Sequence, residues 1–115
     1  MKYYLLFLVL GASSLLFVNC SKDKAPTGFT TADCPDTIKF STQILPMMTD
    51  NCFSCHNTGQ SPALSDHASI AGNADKILKT LKAEGAPLMP DGGPALPDSL
   101  IQQFQCWLNQ GKLNN

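Results

Sequence analysis

The sequence predicts an all-α domain of three or more short helices, and three observations predict it. From Leu100 to Leu108 the apolar residues Leu100, Ile101, Phe104, Trp107 and Leu108 recur at the helical period, as one buried helix face requires. Two earlier stretches carry shorter versions of the same pattern. No segment alternates apolar and polar residues long enough to count as a strand, a few residues around Ile38 to Phe40 being at most extended.

The first helix is expected over Ser41 to Asn51, with Ser41 as N-cap and Ile44, Leu45 and Met48 on one face. Pro46 has no amide hydrogen, so the helix either begins there or kinks. The second runs from Asn73 or Asp75 to Glu84, places Ile77, Leu78 and Leu81 on one face and ends at Gly85. Its other face carries Lys76, Lys79 and Lys82 at spacing three, read either as solvated surface or as charge that steers an acidic partner. The last helix opens at Asp98, a good N-cap, and closes before Gly111. Three such helices enclose little apolar volume. A core of that size calls for a disulfide, a metal or a cofactor, and the 5 Cys, 2 His and 4 Met supply atoms for all three.

The chain of 115 residues has room for one compact domain plus extra segments, which excludes a multidomain enzyme. Charged residues make up 15%, 8 Lys against 9 acidic residues with no Arg, so an extended phosphate-binding surface and a nucleic-acid partner are excluded. Met1-Lys2, an apolar run from Tyr3 to Val18 and the polar stretch that follows describe a secretory signal over residues 1–19. The run is short for a membrane-spanning helix, which needs about 20 apolar residues, so an uncleaved anchor is the second choice. Cys20, directly after the run, resembles the lipidated cysteine of bacterial lipoproteins, the alternative being an ordinary signal followed by an incidental thiol. Ser21-Lys22-Asp23 resembles the post-cysteine signal that directs some lipoproteins to the cell exterior. Residues 20–33, with Pro26, Gly28 and several Thr, lack apolar periodicity and read as a tether. Such a coil spans roughly 20 Å, enough for a domain over residues 34–115 to reach partners at the same membrane surface.

Chemistry enters at Cys52-Phe53-Ser54-Cys55-His56, the attachment pattern of c-type haem. Two thiols three positions apart bond the two vinyl-derived carbons on one porphyrin edge, and the next residue brings an imidazole beneath the iron. A thioredoxin-like reading wants a preceding strand and a βαβ pattern, and a zinc reading wants a second ligand pair, which His67, Cys34 and Cys106 do not form. The sixth iron position is open or filled by a second side chain. Met89, in the broken stretch that holds Pro87, Pro90, Gly92, Gly93 and Pro94, is suited to cross a flat cofactor, and a thioether there raises the potential. His67 is the rival, read otherwise as an exposed residue near the start of a turn or short helix. Met47 and Met48 read as core filler.

Cys52-Phe53-Ser54-Cys55-His56, then Leu88-Met89-Pro90-Asp91-Gly92-Gly93, then a terminal helix with Trp107 and Gly111 resembles the small monohaem class I cytochromes c over Cys34 to Asn115. The resemblance implies a cytochrome c-like fold around one haem c on Cys52 and Cys55, with His56 and Met89 as axial ligands and the terminal helix packed across the first. Only 33 residues separate His56 from Met89, short for the family, which implies a pared-down version. With Cys20 lipidated and Cys52 and Cys55 on haem, Cys34 and Cys106 remain as a pair, and the packing of first and last helices in that family lets them meet. The expected function is a membrane-tethered one-electron carrier between larger redox proteins, on the periplasmic or cell-surface side of a bacterial membrane. Other classes are a haem-based small-ligand sensor and a haem-bearing interaction module of a surface assembly. No acid, base or nucleophile constellation stands out, so catalysis is not expected.

Overall fold

Lys39 is extended, and the chain turns helical at Phe40. In this computed structural model Cys34 and residues 36–57 and 59–115 are described. The expected signal peptide over 1–19, Cys20 and the tether over 20–33 lie outside the described residues.

The first turn, Phe40–Ile44, is wound wider than an α-helix: the Ile44 amide donates to the Lys39 carbonyl at 3.3 Å and the Leu45 amide to Phe40. It runs into α1, Leu45–Asn51, with Pro46 in the opening turn, where a missing amide hydrogen leaves no bond unmade. Ser41 is not the cap, contrary to expectation. The Gln43 side chain accepts from the Lys39 amide at 2.8 Å, while Asn115 accepts from the Phe40 amide through Oδ1 at 2.8 Å and from the Ser41 amide through its main-chain oxygen at 2.9 Å. The end of the sequence thus satisfies amides that open the first helix.

A single turn, α2, covers Phe53–His56. The third helix, α3, His67–Gly72, begins with a reciprocal cap in which the Ser69 amide donates to Asp66 Oδ1 at 2.8 Å and the Asp66 amide donates to Ser69 Oγ at 3.2 Å. That donation from the Ser69 amide holds the Asp66 carboxyl below its ordinary value. A carboxyl whose folded pKa is depressed stabilises fully above its unfolded value, and the contribution fades as pH falls through the folded one. Helix α4 spans Ala74–Lys82 and closes on Ala83 in the left-handed region, φ 53°, two residues before the expected stop at Gly85. Helix α5, Asp98–Asn109, follows Pro97, and the Asp98 side chain is not its cap. Gly111 at φ 91° and Lys112 at φ 57° then turn the chain back on the helix.

Trp107 and Phe104 of α5, Ile44 and Met48 of the first helical stretch and Ile70 of α3 are fully buried, with Met47 also in the core. Phe40 stacks at a tilt on Trp107, centroids 5.8 Å apart, and the indole Nε1 donates to the Leu113 carbonyl at 2.9 Å. The amphipathic face read in the sequence is therefore the one that packs. Cys34 and Cys106 form a disulfide, Cα atoms 5.6 Å apart, that joins the chain ahead of the first helix to the middle of α5. The domain is all-α, with no strand among the described residues. No helix among them is long and apolar enough to cross a membrane.

Cys34→Ser opens a crosslink across a sequence separation of 72. Loop-closure entropy sets the expected loss of unfolding free energy at roughly 4 kcal/mol, read by denaturant titration, with Cys106 becoming titratable by thiol reagents under denaturing conditions. A loss below about 1 kcal/mol, or two free thiols at these positions in the parent, would contradict the crosslink.

Candidate functional site

The chain reaches Cys52 at the end of α1, where its amide donates to the Met48 carbonyl at 2.9 Å, and then makes one more turn. The His56 amide donates to the Cys52 carbonyl at 2.8 Å, so Cys52, Cys55 and His56 are brought near one another at helical spacing. The loop after α2 folds back over it. The Leu64 amide donates to the His56 carbonyl at 2.7 Å, and His56 Nδ1 lies 2.9 Å from the Pro62 carbonyl. A carbonyl only accepts, so Nδ1 donates there, and the neutral tautomer that makes this bond has its lone pair on Nε2. Nε2 has no hydrogen-bond partner among the described residues, which suits it to a metal.

The segment after α4 brings in Met89. Its amide donates to the Thr80 carbonyl at 3.1 Å, which ties the loop to the end of the helix. Gly92, at φ 69°, and the bond from the Gly93 amide to the Pro90 carbonyl at 3.2 Å make the next bend. Ser61-Pro62 and Met89-Pro90 are both cis.

Between the two lies a cleft of about 420 Å³, within the size range of small-molecule and cofactor sites. Cys52, His56 and Met89 line it together with Pro62, Leu64, Ile77, Leu81 and Ala86. The motif and the methionine named from the sequence therefore face one space, with one exception. Cys55 is exposed and is not part of the lining. Cys52 is half-buried, its Sγ 3.9 Å from Met48 Sδ, and burial pushes its thiol up from the ordinary value.

His67 is elsewhere. Its ring meets Phe40 edge-on at 4.7 Å and Trp107 at 5.9 Å, and Nε2 donates to the Lys112 carbonyl at 2.8 Å. It is half-buried, where an exposed position was expected, because it fills the space between the first aromatic and the returning end of the chain. The lysine stripe is also divided. Lys76 and Lys79 line the cleft, whereas Lys82 Nζ donates to Gln105 Oε1 of α5 at 2.9 Å.

Among the described residues no group of three or more His, Cys, Asp and Glu side chains is arranged to hold a metal ion by itself. An imidazole nitrogen, a thioether and the Cys52 thiol line the apolar cleft, with the Cys55 thiol exposed beside it; a metal held inside a macrocycle would ask no more of the protein than two axial ligands from such a set. Three features here have no motif in the sequence: the Pro62 and Thr80 carbonyls, because any residue has one, and the turning of Lys76 and Lys79 toward the cleft. No family model, no curated protein and no solved structure matches the chain.

In folded protein produced without a cofactor, the two thiols differ in exposure, and burial pushes the Cys52 thiol up. Iodoacetamide at mildly alkaline pH is expected to label Cys55 several-fold faster than Cys52, as read by peptide mass mapping. Equal rates would contradict the burial of Cys52.

Proposed function

We propose that this chain is a membrane-tethered one-electron carrier, a pared-down class I cytochrome c domain with one covalently bound haem c. The observation that carries the reading is the meeting of Cys52, His56 and Met89 on one apolar cleft, with His56 Nδ1 held by the Pro62 carbonyl. Cys52 and Cys55 would supply the two thioether links, and His56 would offer Nε2 to the iron. The hydrogen bond to Pro62 fixes the ring's tautomer and orientation. Met89, on the same cleft and on a loop anchored to Thr80, would offer its sulfur as the second ligand. His67 has its Nε2 engaged with Lys112 and is absent from the cleft lining, which favours Met89 as the second ligand. Haem bound there supplies an Fe(III)/Fe(II) couple whose potential a thioether ligand raises. Leu64, Ile77 and Leu81, buried residues on the cleft lining, would exclude water from a cofactor bound there.

On this reading the chain passes electrons and performs no catalysis of its own. Lipid on Cys20 and the tether over 20–33 hold the domain at the periplasmic or cell-surface side of a bacterial membrane, where its donors and acceptors are other redox proteins.

Protein matured in an export compartment is expected to carry one haem that survives acid extraction and adds its mass to the peptide containing Cys52 and Cys55. Haem-free protein that binds stoichiometric zinc would reject the reading.

Met89→Ala is expected to remove the sulfur-to-iron absorption band and lower the potential, and His67→Ala to leave that band in place. A parent protein without that band, whose spectrum changes in His67→Ala and not in Met89→Ala, would make the iron bis-histidine.

A further inference from the structure

The cleft is apolar over most of its lining, and the charged side chains on it are two cations, Lys76 and Lys79. Both come from α4, one turn apart, a spacing that sets their Cβ atoms about 5–6 Å from each other. No acidic side chain lines the cleft with them. Both are exposed, and lysines on apolar surface commonly lay the aliphatic stem along it while the ammonium reaches water. Lys82, next in the same series, is turned away to Gln105 on α5. A flat apolar ligand with two carboxylates on one edge is the chemical complement of such a cleft. A half-buried carboxylate is costly unless a cation or a donor meets it.

Resting on the haem reading above, we infer that Lys76 and Lys79 receive the two propionate carboxylates of the cofactor, one turn of α4 thereby fixing which edge of the macrocycle faces solvent. They act as positioning residues. The paired charge also neutralises the propionates, and removing it leaves uncompensated negative charge beside the iron, which favours Fe(III). The other ionisable groups on the cleft are Cys52 and His56, both committed to the cofactor in this reading, and Asp75 and Lys82 flank the pair on α4.

The test uses the full chain matured with haem, in the parent and in K76Q, K79Q, the double variant, the corresponding Arg variants and K82Q. Two quantities are read: the midpoint potential, and the carboxylate bands in reduced-minus-oxidised infrared difference spectra. The Gln variants are expected to lower the potential and shift the carboxylate bands, the double variant more than either single one. Arg at the same positions restores both, and K82Q leaves both at the parent values. Unchanged carboxylate bands in the double variant, or an equal shift in K82Q, would overturn the assignment while leaving haem attachment intact. A parent protein that carries no haem would overturn this inference together with the function it rests on.

Discussion

The indole of Trp107 is where the first and last helices and the end of the sequence converge. Phe40 lies against one side of it, Phe104 on its own helix against another at 5.5 Å, and His67 meets it edge-on from α3. Its Nε1 holds the Leu113 carbonyl, and the returning segment goes on to Asn115, which satisfies two amides at the start of the first helix. Truncating such a buried aromatic typically costs about 3–5 kcal/mol, a large share of the roughly 5–15 kcal/mol by which a domain is stable. The neighbouring residue, Cys106, carries the crosslink to Cys34. Aromatic packing, returning backbone and disulfide therefore act together on the first and last helices.

The cleft borders this core. It is walled by two short pieces that bury little on their own, the turn from Cys52 to His56 and the loop carrying Met89, each tied back by one main-chain hydrogen bond to a helix that belongs to the core: Cys52 to Met48, Met89 to Thr80. Ile77 and Leu81 belong to the core cluster and line the cleft as well. A cofactor in that space would complete the core as well as supply chemistry, consistent with the small apolar volume that these helices enclose by themselves.

The helices were legible in the sequence wherever a repeated apolar face faces the core. The face of α5 through Ile101, Phe104 and Trp107 and that of α4 through Ile77 and Leu81 are buried as their periodicity implies. Short elements were less legible, because α3 has only six residues and shows itself through Asp66 and Ser69 alone. The cap of the first helix was not legible at all: Asn115 lies 75 positions from Phe40, and no local pattern announces a partner so distant. In the site, Cys52, His56 and Met89 were readable from residue type and spacing. The Pro62 carbonyl was not, nor was the parting of Lys82 from Lys76 and Lys79, which depends on Gln105 in a different helix.

The central claim is that this cleft holds one iron that exchanges single electrons between fixed axial ligands. It is tested most directly by a spectroelectrochemical titration of the purified parent protein. The account predicts one reversible wave that follows a one-electron Nernst curve, about 59 mV per decade, with the sulfur-to-iron band present in the oxidised form and lost on reduction. A protein with no redox-active chromophore, or one whose colour is removed by acid extraction, would contradict it.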